Sequence, residues 1–84
     1  MKVTRKETHD RLSLTVNDGT HKLVLKIGRN GITVEGTKAD LMQPAMTKFD
    51  ARCGKKGVTY SKTMEVLEQL ANEHDNLEAF VEAM

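Results

Sequence analysis

The chain has 84 residues, 38% of them apolar and 30% charged, a length that holds one hydrophobic core and a composition that excludes intrinsic disorder. Its N-terminal "MKVTRKETHDR" has no apolar stretch and no apolar run in the chain exceeds three residues, so signal-directed secretion and membrane spanning are not expected and the expected location is the cytoplasm. The formal charge of +1 hides an asymmetry: residues 1–62 carry all thirteen Lys and Arg against six carboxylates, a net of +7, and residues 63–84 carry six carboxylates and no Lys or Arg, a net of −6.

In chain order, residues 2–9 tolerate a strand but contain one large aliphatic, so the sheet is expected to have three or four strands. From Leu12 the sequence "LSLTVNDGTHKLVLKIGRNGITVEG" alternates with period two through Leu12, Leu14, Val16, Leu23, Leu25, Ile27, Ile32 and Val34. That pattern predicts antiparallel strands with one apolar face, joined by turns at "NDG" and "GRNG" whose glycine pairs supply positive φ. The other face carries Ser13, Thr15, Lys22, Val24, Lys26 and Thr33 and should meet water. Within this region "KIGRNGITVEG" resembles one turn of the repetitive β-helical spikes of phage tails. The likeness covers one repeat and does not recur, and a spike needs several stacked repeats, so the segment is read as a hairpin.

Thr37 followed by Asp40 resembles a helix start, and Leu41, Met42, Ala45, Met46 and Phe49 recur at helical spacing. A short helix over about 40–52 is predicted, with Pro44 either in its first turn or kinking it, and Gly54 closing it. Ser61 is the expected cap of a further helix bearing Val66, Leu67, Leu70, Ala71 and His74 on one face. Its apolar phase continues through Leu77, Phe80, Val81 and Met84, which favours one long or kinked helix, while Asp75 and Glu78 form a second capping pattern that favours a break at "NEHDN"; residues 62–84 are read as one long helix or a broken one, with the break preferred. The fold class is α+β, a β-meander over about 10–36 covered by helices over about 38–84, in one domain spanning 1–84.

Few residues point to chemistry. "GKKGVTYSK" lacks the Lys-Ser or Lys-Thr pair that a phosphate-binding loop places after its second glycine, so it reads as a connector with solvated lysines. Cys53 has no histidine near it in sequence to act as a base, and a lone cysteine forms no intrachain disulfide. His9, His21 and His74 lack ligand spacing, and Glu65 and Glu68 stand one turn apart on an exposed face, as solvated glutamates do. No catalytic residue, metal or cofactor is assigned.

What remains is surface. Glu65, Glu68, Glu73, Glu78 and Glu82 are the candidate protein contacts, an acidic stripe that either faces a basic partner or lies against the basic part of the same chain. Arg52, Lys55, Lys56, Lys62, Lys26 and Arg29 are the candidate phosphate contacts. The favoured expectation is a non-enzymatic module that docks on a larger protein as inhibitor, adaptor or regulator, of the kind phages and mobile elements encode. The alternative is a nucleic-acid-binding protein using the basic sheet face and the 52–62 loop, although the first 48 residues contain no aromatic side chain on which bases could stack. A homodimer would supplement the small core of so short a chain.

Overall fold

The computed structural model describes residues Met1–Met84. Four strands come first, β1 (Lys2–Glu7), β2 (Leu12–Asn17), β3 (Lys22–Gly28) and β4 (Gly31–Gly36); three helices follow, α1 (Ala39–Cys53), α2 (Tyr60–Asn72) and α3 (Leu77–Ala83). The strands make one antiparallel sheet in the order β1-β2-β3-β4, the α+β meander expected, with the fourth strand supplied by the N-terminus. Register pairs Val3 with Val16, Leu14 with Leu25 and Leu25 with Val34. Because side chains alternate along a strand, this puts Leu14, Val16, Leu23, Leu25 and Ile27 on one face, and all five are buried. The helices cover that face only: α1 lies on β4, α2 lies on β1 and β2, and α3 packs against both other helices.

Both expected glycine turns take their positive φ from the glycine itself. Positive φ falls on glycine alone, at Gly19 and Gly31 (+111°), and on no other residue type. In the two-residue loop Arg29–Asn30 the asparagine therefore keeps negative φ, which a type I′ turn would not allow. The exit from β4 is tighter still. A Cβ on Gly36 would stand 2.6 Å from the Lys22 carbonyl oxygen and 2.7 Å from Met42 Cε, so the chain turns into α1 at a place where only glycine fits.

All three helices start at caps other than those expected, and in α1 a tertiary contact takes the expected one. Thr37 does not cap α1: its Oγ1 accepts from the Lys22 N–H at 3.0 Å and bonds His21 Nδ1 at 3.1 Å, and the N-cap position falls on Lys38 with no side-chain cap. Pro44 sits inside α1 and not in its first turn. Gly54 is the C-cap, donating to the Asp50 carbonyl at 3.1 Å. Thr59, not Ser61, caps α2, accepting from the Lys62 N–H at 3.1 Å. The expected break occurs, but Asn76 and not Asp75 caps α3, accepting from the Ala79 N–H at 2.9 Å. The buried line of α2 is Thr63, Met64, Leu67 and Ala71, with Val66, Leu70 and His74 half-buried at its border. With Leu41, Ala45 and Phe49 of α1 and Leu77, Phe80 and Val81 of α3, these residues complete one core with the sheet.

Asp18 ties the β2–β3 loop to α3. Its Oδ1 accepts from the N–H groups of Thr20 and His21 at 2.9 and 2.7 Å, and its Oδ2 from the Leu77 N–H at 3.4 Å. These backbone donors, His21 first, hold the carboxyl below the ordinary value of 3.8. A carboxylate whose folded pKa is lowered stabilises the fold above the unfolded value, and that contribution is lost as pH falls through the folded one. Asp18→Asn should therefore melt below the parent at neutral pH, and the gap should narrow in acid. Thermal unfolding of both proteins across that range checks it; a gap that stays constant down to acid pH would remove the charge from the account.

Candidate functional site

No helix of the protein is long and apolar enough to cross a membrane, and the face of the sheet opposite the helices is uncovered. Alternation and register place Lys2, Thr4 and Lys6 of β1, Ser13 and Thr15 of β2, Lys22, Val24 and Lys26 of β3, and Thr33 and Glu35 of β4 on it. Lys2 and Lys22 flank Asn17 in one cross-strand row, and Lys6 and Lys26 flank Ser13 in another. With adjacent strands about 4.8 Å apart and a rise of about 3.3 Å per residue, the four lysine Cα positions form a rectangle of about 10 by 13 Å. Glu35 is the only carboxylate on this face, and it holds Lys26 at 3.1 Å. Lys2, Lys6 and Lys22 make no ion pair. Of the four lysines only Lys26 is among the expected contacts; Lys22 is expected on the outward face, and Lys2 and Lys6 are not. The signal was the period-two placing of Lys2, Thr4 and Lys6, which marks an outward row once residues 2–7 are known to be a strand.

The acidic stripe is not one surface. Glu68 bonds Arg5 of β1 at 3.1 Å, and Glu78 pairs with Lys38, whose ammonium this contact pushes above its ordinary value. Glu65 stands 3.8 Å from Lys62 within α2. The break at "NEHDN" puts Glu78 and Glu82 on a separate helix from Glu65 and Glu68. Only Glu73 and Glu82 keep carboxylates without an ion pair. The basic part and the acidic helices thus meet inside the molecule, and further contacts of the same sense join α1 to the C-terminus: Lys48 Nζ donates to the Glu82 carbonyl at 2.7 Å and Arg52 Nε to the Met84 carbonyl at 2.8 Å.

The candidate phosphate contacts separate as well. Arg52 faces the end of α3, Lys62 lies in the first turn of α2, Lys26 is on the uncovered face, and Arg29 stands in the β3–β4 turn, 3.8 Å from Asp10. Lys55 and Lys56 are exposed and unpaired in the connector between α1 and α2. The structure brings the six together at no common point.

Cys53 is half-buried at the end of α1, and burial together with the Asp50 charge pushes its thiol up from 9.0 to about 11. The thiolate is the reactive form, so near neutral pH Cys53 should alkylate roughly tenfold or more slowly than an unperturbed cysteine. Iodoacetamide labelling of the native and the urea-unfolded chain measures the ratio; equal rates would contradict the burial. His74, just past the end of α2, places Nδ1 2.8 Å from the carbonyl oxygen of Leu70 in that helix. Comparison of the chain with protein-family models, with curated proteins and with solved structures found no match.

Proposed function

We propose that the chain is a non-enzymatic binding module that docks on a larger protein as inhibitor, adaptor or regulator, and that the uncovered sheet face is the side it docks with. One observation carries this reading: four lysines stand in a rectangle on a face that no other element of the chain covers, with a single carboxylate among them, whereas three of the five helical glutamates are engaged by cations of the same chain. A positive face of this kind steers an acidic partner surface into register and sets its on-rate more than its final affinity. The hydroxyls of Thr4, Ser13, Thr15 and Thr33 add neutral donors between the charges, and Val24 supplies a small apolar centre.

A second reading uses the same rectangle for phosphates. Regularly spaced lysines can neutralise a nucleic-acid backbone, and such binding weakens steeply with salt. The face carries no aromatic ring, so base stacking would not contribute. Capture from source-cell lysate on the immobilised chain, with and without nuclease, separates the two. A protein retained after nuclease, and lost when the lysines are reversed, supports docking; loss of everything on nuclease treatment moves the function to nucleic acid.

A further inference from the structure

Val58 and Tyr60 are the exposed large apolar side chains of the molecule, 40% and 52% accessible, and they lie two residues apart before and at the start of α2. Tyr60 lines a groove of about 280 Å³ with Leu12, Ile27, Arg11 and Arg29. A neighbouring cavity of about 360 Å³ shares both arginines and continues to Lys26 and Thr33 of the uncovered face. The combined groove runs round the turn end of the sheet, from the lysine face to the first residue of α2, with one arginine from the β1–β2 loop and one from the β3–β4 turn. Arg11 makes no ion pair, and Arg29, its side chain 78% exposed, touches a carboxylate only at 3.8 Å.

We infer that this groove takes an acidic extended segment of a partner protein, with a carboxylate held by the Arg11 and Arg29 guanidiniums and a neighbouring apolar side chain laid on Tyr60. Guanidinium binds carboxylate through two parallel N–H bonds, which fixes direction as well as charge. Arg and Tyr are also the residue types in which binding energy concentrates at protein interfaces. The groove's own carboxylates decide between ligand classes. Asp10 and Glu7 also line it, with Glu7 already held by Arg5 at 3.6 Å. A peptide backbone offers N–H donors to these oxygens as well as side-chain carboxylates to the arginines, whereas a phosphodiester backbone offers acceptors alone and leaves Asp10 without a donor. The inference rests on the docking reading in taking the partner to be a protein, but it uses residues distinct from Lys2, Lys6 and Lys22.

The test is amide-resolved NMR of the full chain, titrated with an end-blocked octapeptide of alternating Glu and Leu, with a Lys and Leu octapeptide and with an oligothymidine of eight nucleotides. The Glu and Leu peptide should shift the amides of residues 8–11, 28–31 and 58–60 to saturation, and the Lys and Leu peptide should not. Arg11→Ala with Arg29→Ala should weaken that binding about tenfold or more while leaving the remaining amides in place. Tyr60→Ala, read separately, should weaken it with both arginines intact. Shifts confined to the Lys2, Lys6 and Lys22 amides would overturn the groove and leave the docking face standing. Tighter saturation of the groove amides by oligothymidine would replace the peptide with nucleic acid, and the absence of saturable shifts with any probe would end the assignment.

Discussion

Phe80→Ala should remove about 3–5 kcal/mol of stability, the cost of truncating a fully buried phenylalanine. For 84 residues at about 0.05–0.15 kcal/mol each, the whole fold is worth roughly 4–13 kcal/mol, so this one change consumes a large part of it. The cost is concentrated there because α3 has seven residues, too few to hold a helix in water without packing. It stays in place through Leu77, Phe80 and Val81, through its Asn76 cap and through the Leu77 N–H bond to Asp18. Removing the ring also strips cover from α1, against which α3 packs. Urea unfolding should show a lower midpoint, and the amides of residues 77–84 should lose exchange protection before those of the sheet. Glu82→Ala on the exposed side of the same helix should stay within about 0.5 kcal/mol of the parent. A Phe80→Ala cost below about 1 kcal/mol would mean that α3 is not packed as described.

What the sequence revealed follows from where each residue finds its partner. Strands β2, β3 and β4 were legible because one face of each is buried, which writes a period of two into the text. Strand β1 was legible only as an optional fourth strand, because only Val3 among its residues packs on the core; Arg5 lies on the helix side and reaches across to Glu68, 63 residues away. The break before α3 was one of two open readings, because local capping chemistry pointed to it and the unbroken apolar phase pointed to a single helix. The wrong caps were Thr37, Ser61 and Asp75; Thr59 and Asn76, polar neighbours of the last two, make the local cap bonds instead. Thr37 is taken by Lys22 and His21 from the adjacent hairpin. Which way the acidic stripe faces stayed open in the sequence for a related reason. Helical periodicity shows which residues share a face, but not that Arg5 and Lys38 wait opposite Glu68 and Glu78. On the candidate site, Lys22 and Lys26 were visible as an outward row of a legible strand, and Lys2 and Lys6 were hidden with β1.

Reversing Lys2, Lys6 and Lys22 to Glu together should lower affinity for an acidic protein partner by about a hundredfold, equivalent to about 2.7 kcal/mol. Lys26 is left in place because Glu35 already engages it. The three positions are exposed and unpaired, so the variant should melt close to the parent, and circular dichroism with a thermal scan establishes that before binding is read. Most of the loss should appear in the association rate, because exposed charges act on the encounter complex. The parent's rate should fall as salt shortens the screening length to about 8 Å at physiological strength, and the variant's should not. Glu73→Lys with Glu82→Lys is the matching control, since these are the two of the five candidate glutamates without an ion pair. On the proposed reading that variant binds an acidic partner as fast as the parent or faster. If it is the helical reversal that slows association, and the lysine reversal leaves the rate alone, the partner sits on α2 and α3 and the uncovered sheet face has no part in docking.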